Sequence, residues 1–381
     1  VEEKVADFAA ARAKNIPIVH RSELLAHFVA SYRTVAVSGT SGKSTVTAMV
    51  FEILEGAGRD PSVITGGDLR LLQARGLPGN AFAGASDLLV VEADESDGSL
   101  VRYAPAVGVI LNLQRDHKEM EEVAAMFAVL RARSREALVV GEDENLDALA
   151  GGAIRFGFGP RAGIRGVNVE LTPSGSSFIV DDVAFALPVP GRHNVANALA
   201  AIAAARSLDV PLADMVGPLS CFQGVGRRFQ TVGAARGVTV IDDFAHNADK
   251  IAAALATAKL NATRVLAVYQ PHGYGPTRFL RRDFVDTFTR ELRRGDRLWM
   301  LEVFYAGGTA SRDFSAADIV EEIAENGVKA EFAPSRAWLA ARIAEVASAG
   351  DTVLVMGARD PSLTDLAREI VAELGRSGAK A

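Results

Sequence analysis

The first half of the chain alternates short apolar runs with longer amphipathic segments. Residues 35–37, 88–91 and 107–111 are nearly continuous apolar runs, which are typical of strands buried on both faces of a sheet. Residues 46–54 and 121–132 place apolar side chains at helical spacing. We therefore predict an α/β fold with a mainly parallel sheet covered by helices.

The second half of the chain shows the same alternation after a glycine-rich segment that lacks it. Residues 151–190 are rich in glycine and carry short β-type runs, which predict a small insertion of antiparallel strands within the first domain. From residue 238 the alternation of apolar runs and helical patterns returns and predicts a second, doubly wound α/β domain. Residues 222–229 are expected to cross between the two. The candidate strands of the second domain are residues 238–241, 265–269, 298–303, 330–332 and 352–356.

The first residues of the chain show a pattern of their own. Residues 2–14 predict a helix, residues 16–19 a short strand, and a further helix starts near Ser22. These elements look like the end of an α/β unit whose beginning is absent, and the chain begins with Val1.

Composition and charge narrow the class of protein. A length of 381 residues suggests two or three domains, and 49% hydrophobic with 23% charged residues is typical of a globular protein. The net charge of −6 argues against nucleic-acid binding through a basic patch. The single cysteine, Cys221, excludes a disulfide within the chain and a cysteine zinc site. No apolar run reaches membrane-spanning length and no secretory signal opens the chain, so we expect a cytoplasmic protein without membrane contact.

The junction of the first strand and its helix carries a candidate phosphate loop, Gly39-Thr40-Ser41-Gly42-Lys43-Ser44-Thr45. Loop N–H groups and a helix N-terminus attract phosphate, a lysine neutralises it, and a hydroxyl can bind Mg²⁺. The strict motif has a glycine where Val37 stands, and an ordinary strand–helix turn is the alternative. The position between a buried strand and a helix favours the phosphate loop.

Two further strand ends carry candidate metal ligands. Four carboxylates follow the strand at residues 88–91, within residues 92–97, and their mutual repulsion requires cations or donors nearby. They predict a magnesium site, with a solvated acidic loop as the alternative. His117 follows another strand and stands beside Asp116, so it is a ligand, a proton relay or simply a hydrogen-bonded histidine.

Polar clusters also mark the remaining strand ends and the crossing. Arg227 and Arg228 suit a polyphosphate, although a solvated charge pair in a linker is the simpler interpretation of two arginines. Asn194 is a plausible N-cap of an alanine-rich helix. In the second domain, residues 242–247, residues 269–272 and Glu302 lie at the ends of candidate strands, where α/β folds place ligands.

In their order along the chain, these motifs resemble those of the Mur ligases. The resemblance rests on residues 39–45, 92–99, 112–117, 191–197, 222–229 and 242–246. Residues 269–272 and 301–303 are most similar to the branch that joins L-alanine to UDP-N-acetylmuramate, and next to the branch that recycles wall peptide. The resemblance implies an ATP-dependent, ADP-forming ligase of peptidoglycan precursors, which makes an amide through an acyl phosphate. It also implies three domains: residues 1–33 as the remnant of a UDP-sugar-binding domain, 34–228 as the central P-loop ATPase domain and 229–381 as the Rossmann-like ligase domain.

The same resemblance implies roles for individual residues, with ATP and Mg²⁺ as cofactors. The catalytic residues would be Lys43, Glu92, His117, Arg228 and His246, and the metal ligands Ser44, Glu92 and His117. The substrate would contact His246, His272 and Arg278. The nucleotide would contact Gly39, Thr40, Gly42, Lys43, Ser44, Thr45, His193, Asn194, Asn197, Arg228 and Asp243. The expected partners are a UDP-sugar carboxylate and an amino acid or peptide, bound by a monomer or homodimer.

The chain departs from the family pattern mainly on the substrate side. Ser41 replaces a histidine of the phosphate loop, and Gly273 and Pro276 stand where arginines would face an anionic substrate. Near the end of the chain, Arg359 stands where the family usually has the second glycine of a Gly-Ala-Gly sequence. Two alternatives therefore stay open: a ligase for another acceptor or amine, and a nucleotide-binding module without ligase activity.

Overall fold

The computed structural model describes residues 5–116, 118–305, 307 and 311–378. Across these residues the chain forms sheets of eight, three and six strands, which confirms the predicted α/β class. Within the same residues, no helix combines the length and the apolarity needed to cross a membrane.

The eight-stranded sheet has β1 near its centre, between β4 and β5, in the order β3-β2-β4-β1-β5-β6-β7-β8. Its pairs are parallel except β2 with β3. The elements up to this sheet's last strand are α1 (Ala6–Ala13), α2 (Arg21–Ser31), β1 (Arg33–Ser38), α3 (Lys43–Gly56), β2 (Ser62–Ile64), α4 (Arg70–Ala74), β3 (Ala81–Phe82), β4 (Leu88–Glu92), β5 (Val107–Ile110), α5 (Met120–Arg133), β6 (Ala137–Gly141), β7 (Ile154–Gly157) and β8 (Ile164–Arg165).

A three-stranded antiparallel sheet and two helices complete this half of the molecule. The sheet has the order β11-β10-β9, and α6 packs against α3. The alanines of α6 from Ala198 to Ala205 are fully buried, and their small side chains allow the two helices to approach closely. The elements are β9 (Val167–Thr172), β10 (Gly175–Val180), β11 (Val183–Leu187), α6 (Arg192–Arg206) and α7 (Leu212–Ser220).

The six-stranded sheet belongs to the second half, in the order β12-β13-β17-β14-β15-β16. Its pairs are parallel except β12 with β13. The elements are β12 (Gln230–Ala235), β13 (Val238–Asp243), α8 (Ala248–Ala258), β14 (Val265–Tyr269), α9 (Tyr274–Glu291), β15 (Arg297–Leu301), α10 (Ala316–Glu325), β16 (Ala330–Ala333), α11 (Arg336–Val346), β17 (Thr352–Met356) and α12 (Leu363–Gly378).

Three local predictions differ from the structure. Residues 16–19 are not a strand: they pair with no described strand, and Ile16, Ile18 and Val19 are exposed. The predicted antiparallel insertion at residues 151–190 is only partly antiparallel, because β7 and β8 extend the eight-stranded sheet in parallel. The second domain also has an extra strand, β12, before the first predicted one.

Helix α3 carries a buried charge-bearing residue, Glu52, that the apolar pattern does not predict. Glu52 is 7% exposed, and its Oε1 atom has no hydrogen-bond partner within the described residues. Burial raises the pKa of Glu52 to about 8, although the backbone N–H of Gln223 donates to the carboxyl group and partly opposes the rise. Glu52 is therefore mostly protonated at neutral pH, and it joins α3 to the crossing segment.

This raised pKa predicts a pH-dependent stability. Between pH 4.5, where the unfolded chain ionises Glu52, and pH 8, the folded state holds a proton that the unfolded state has lost. The contribution of Glu52 to the free energy of unfolding is therefore full below pH 4.5 and falls as the pH rises to about 8. We expect the free energy of unfolding of Glu52→Gln, relative to the native protein, to improve by about 3 kcal/mol from pH 5 to pH 8.5.

Urea unfolding at the two pH values measures this difference. The control is Glu121→Gln, at an exposed position near the start of α5. An unchanged difference between Glu52→Gln and the native protein across the range contradicts the burial argument.

Candidate functional site

The loop between β1 and α3 has a backbone that requires glycine at two positions. Gly39 and Gly42 have φ angles of +142° and +86°, which favour glycine. A Cβ atom on Gly42 would stand 2.5 Å from Oδ1 of Asn197, and one on Gly39 would stand 2.8 Å from Cβ of Leu111. The loop is thus closely packed between β5 and α6.

Asn112, at the carboxyl end of β5, fixes the conformation of this loop. Its Oδ1 atom accepts hydrogen bonds from the Thr40 hydroxyl and the Ser41 N–H, both at 2.9 Å. Its Nδ2 group donates to the Ser41 carbonyl at 3.1 Å. Asn112 is part of a recognised motif, but its role as the clamp of the loop was not assigned from the sequence.

Lys43 begins α3 and reaches back over the loop. Its Nζ atom donates to Oε2 of Glu95 at 2.7 Å and to the Gly39 carbonyl at 2.9 Å. Burial acts to lower the pKa of Lys43, but the charges of Glu95, Asp94 and Glu92 outweigh it, so the pKa is raised. The lysine is fully charged and is held by the acidic run.

Glu92 ends β4 beside the same loop. Its Oε2 atom accepts hydrogen bonds from the Thr65 hydroxyl at 2.8 Å and the Gly66 N–H at 2.9 Å. The Ser44 hydroxyl donates to Oε1 at 3.2 Å. A hydroxyl and a carboxylate on adjoining strand ends fit the oxygen ligands that Mg²⁺ prefers.

The third predicted metal ligand, His117, lies outside the described residues. Within the residues that are described, no group of three or more His, Cys, Asp or Glu side chains has the arrangement of a complete metal site. The fit for Mg²⁺ thus rests on the donor chemistry of Ser44 and Glu92.

Arg228 and Asp243, from the crossing segment and the end of β13, lie beside the phosphate loop. Arg228 donates from Nη2 to the Ser44 hydroxyl at 3.2 Å and stacks over the ring of Phe244, 4.5 Å from its centroid. Asp243 accepts 2.7 Å hydrogen bonds from the backbone N–H groups of Phe229 and Ala245. Burial raises the pKa of Asp243, and Arg228 opposes the rise. The two predicted residues are therefore brought together across the crossing segment.

The first turns of α8 add a cation that the sequence did not single out. Lys250 donates from Nζ to Oδ2 of Asp116 at 2.8 Å, and it lies 3.3 Å from Nε2 of His246. His246 Nδ1 is 2.8 Å from the carbonyl of Phe244, which can only accept a hydrogen bond, so Nδ1 carries a proton. Burial lowers the pKa of Lys250, while Asp116 opposes this shift. Lys250 lies in the first turn of α8, directly after residues 242–247, and this closeness in sequence was the signal available for it.

Two adjoining cavities open between these groups. The first cavity has a volume of about 200 Å³ and the second about 300 Å³; Ser41, Gly42, Arg228 and Lys250 line both. The first is also lined by Thr45, Asn112, His193, Asn194, Asn197, Asp243 and Asp249. The second is also lined by Thr40, Lys43, Ser44, Glu92, Glu95, Asp116, His246, His272 and Arg359.

Part of the lining of the first cavity, including His193, Asn194 and Asn197, belongs to the N-terminal turns of α6. Its N-cap is Gly191, with a φ angle of +100°, so the prediction of Asn194 as N-cap is wrong. Asn194 instead lies in the first turn and donates to the Pro190 carbonyl at 2.7 Å, while Asn197 donates to Asn194 at 3.3 Å. Burial lowers the pKa of His193 to about 4, so this side chain is neutral at pH 7.

Two of the three predicted substrate residues, His246 and His272, line the second cavity, and the third, Arg278, lies elsewhere. The rings of His246 and His272 lie with centroids 5.5 Å apart, and both line the second cavity. Arg278 lines neither cavity. It forms an ion pair with Asp313 and donates to the Ser311 carbonyl. A substrate role of Arg278 stays a prediction without support from this geometry.

Comparison with known proteins gives consistent matches along the chain. Residues 37–205 match the family model of the Mur ligase middle domain, and residues 227–359 match that of the Mur ligase glutamate ligase domain. The UDP-N-acetylmuramate–L-alanine ligase of Pelotomaculum thermopropionicum is 34% identical over 92% of this chain and 78% of its own length. The UDP-N-acetylmuramate–L-alanine ligase of Maricaulis maris is 35% identical over 94% of this chain and 79% of its own length.

A solved structure agrees with these sequence matches. The crystal structure of the UDP-N-acetylmuramate-alanine ligase of Thermotoga maritima superposes with a TM-score of 0.78 and 26% identity. The match covers 100% of this chain and 84% of that protein. The chain belongs to the Mur ligase family of ATP-dependent, ADP-forming acid–amino-acid ligases.

Proposed function

We propose that this protein joins L-alanine to the carboxylate of UDP-N-acetylmuramate, with cleavage of ATP to ADP and phosphate. The observation that carries the proposal is that Lys43, Arg228 and Lys250 all line the second cavity, beside the phosphate loop. Three cations that line one cavity suit the transfer of a phosphoryl group, which requires positioning and neutralisation of charge. Relatives named for this reaction support the choice of substrates.

In the first step, a carboxylate oxygen of the acceptor attacks the γ-phosphorus of ATP, and the bond to the β–γ bridging oxygen breaks. The products are an acyl phosphate and ADP. In the second step, the amine attacks the acyl carbon, phosphate leaves, and the nitrogen loses a proton. The protein contributes orientation and stabilisation of charge at both steps.

The roles of the residues follow from the cavities that they line. We assign the nucleoside to the first cavity, with His193, Asn194 and Asn197, and the reacting groups to the second, with His246 and His272. The loop N–H groups and Lys43 would hold the phosphates. Ser44 and Glu92 would hold Mg²⁺, which when bound neutralises phosphate charge. ATP and a UDP-sugar are cytoplasmic metabolites, so we also propose a cytoplasmic location.

Release of phosphate by the native protein tests this function. With ATP and Mg²⁺, turnover should require both UDP-N-acetylmuramate and an amino acid, and the amide product should form in a one-to-one ratio with ADP. A panel of L-alanine, glycine, L-serine, D-alanine and wall tripeptide identifies the amine. Turnover with the tripeptide but not with L-alanine would favour the alternative of a peptide ligase, and a failure of all pairs overturns the proposal.

Lys250 provides a specific prediction within this function. We expect Lys250→Gln to lower kcat by about 10²-fold, because it removes a cation from the place where charge develops on the transferred phosphoryl group. The KM for ATP should change much less, since Lys43 and the loop remain. Steady-state kinetics measure both constants, and Lys259→Gln, at the other end of α8 and paired with Glu291, is the matched control. An equal loss in both variants would contradict the assignment.

A further inference from the structure

The second cavity has one cation that differs from the others in its surroundings. Lys43 is paired with Glu95 and Lys250 with Asp116, and Arg228 is bonded to Ser44. Arg359 lines the same cavity and is exposed, yet it has no hydrogen bond or ion pair to any of the residues that the structure describes. Its positive charge is therefore available to an anionic ligand.

The backbone on the N-terminal side of Arg359 is held tightly. Arg227 donates to the carbonyl of Gly357 at 2.7 Å and to that of Ala358 at 3.0 Å. Gly357, with a φ angle of +154°, packs so closely that an added Cβ atom would stand 2.9 Å from the carbonyl oxygen of Gln270. This segment is the direct continuation of β17, a central strand of the second sheet.

The backbone on the C-terminal side is fixed by a second arginine. Arg336 pairs with Asp360, and Oδ1 of Asp360 accepts a 3.0 Å hydrogen bond from the N–H of Ser362. Because both flanks are anchored, a ligand that binds the Arg359 guanidinium orders one side chain rather than a loop. Such preorganisation lowers the entropic cost of binding.

We propose that Arg359 binds the α-carboxylate of the incoming amino acid in the second cavity. This inference rests on the proposed ligase function and identifies a residue that determines its choice of amine. An amino acid brings a carboxylate as well as its reacting amine, and the carboxylate requires a counter-ion once it leaves water. A guanidinium presents a planar fork that matches a carboxylate in two hydrogen bonds.

The position of Arg359 suits this role. The same cavity is also lined by His246 and His272, by Lys43 and by Glu92, Asp94 and Glu95 of the acidic run. Gly273 and Pro276, on the segment that carries His272, offer no cation. Arg359 therefore supplies a positive charge to the second cavity from the segment that follows a different strand, β17.

A comparison of the kinetics of Arg359→Ala with those of the native protein, each with two amines, tests the proposal. The KM for L-alanine should rise by about 10²-fold, in the range expected for the loss of a charge-assisted bidentate contact. L-Alaninamide has the same amine without the carboxylate, so its kcat/KM should change by less than about threefold. Arg359→Lys should be intermediate, since it keeps the charge but not the fork.

The controls separate this inference from its alternatives. Arg376→Ala removes an exposed arginine of α12 that pairs with Glu373, and it should leave all constants unchanged. A rise in the KM for UDP-N-acetylmuramate instead of L-alanine would assign Arg359 to the acceptor and overturn the proposal, as would equal losses for the two amines. If the native protein itself shows no turnover that depends on an amino acid, the ligase function fails first, and this inference fails with it.

Discussion

Replacement of Lys43 by alanine should lower kcat for ligation by about 10³-fold or more, the largest effect that we expect from a single substitution. Lys43 begins α3 at the phosphate loop and remains charged because Glu95, Asp94 and Glu92 surround it. Its ammonium group is the cation nearest to the loop carbonyl of Gly39, where the outer phosphates would lie. The release of phosphate in single-turnover experiments measures the loss directly.

A second variant distinguishes lost chemistry from lost structure. Lys43→Ala leaves Glu95 without its partner at a position only 5% exposed, which costs about 3 kcal/mol or more. Glu95→Gln in the Lys43→Ala background removes the unpaired charge, so the free energy of unfolding should recover by at least half of the loss. Ligation should not recover. A double variant that regains turnover would show that Lys43 serves the stability of the loop rather than the reaction.

The succession of strands and helices could be predicted from the sequence where local pattern and tertiary environment agree. Strands β4 and β5 are continuous apolar runs because helices cover both faces of the sheet, so burial leaves a direct signal. Residues 16–19 carry the same β-branched signal, but no described strand lies beside them. Strand β12 contains Gly233, Ala234 and Ala235, has little apolar alternation, and forms because β13 offers an edge. Pairing partners are not encoded in a local window.

The candidate site shows the same division between local and non-local information. Residues 40–44, Glu92 and Arg228 belong to short motifs, and the structure brings them together around one cavity. Lys250 was not singled out from the sequence, and Arg359 was noted only as a departure from the family pattern, because each is an ordinary surface-type residue until packing brings it to a cavity shared with distant segments. Arg278 shows the opposite case, since its motif matches but α9 turns the side chain toward Asp313. A motif thus predicts chemistry, while the direction of a side chain depends on the element that carries it.

Glu92→Gln should reduce kcat at 1 mM Mg²⁺ by about 10³-fold and increase the Mg²⁺ concentration required for half-maximal rate by at least about tenfold. The carboxylate accepts hydrogen bonds at both oxygens, from Thr65, Gly66 and Ser44. A glutamine of the same shape has one accepting oxygen, so it keeps only part of this network and loses the negative charge that a divalent cation requires. Titration of activity with Mg²⁺ gives the requirement, and calorimetry of the metal-dependent binding of ADP provides a readout that does not depend on turnover.

The matched control for Glu92→Gln is Asp97→Asn, from the same acidic run. Asp97 pairs with Arg21 and lines neither cavity, so its loss should change the Mg²⁺ requirement by less than about twofold. If both variants shift the requirement equally, the acidic run acts as a diffuse negative field. If only Glu92→Gln shifts it, one carboxylate beside Ser44 determines metal affinity. An unchanged requirement in Glu92→Gln, together with unchanged ADP binding, would leave Glu92 as a structural acceptor for the Gly66 turn and contradict its assignment as a metal ligand.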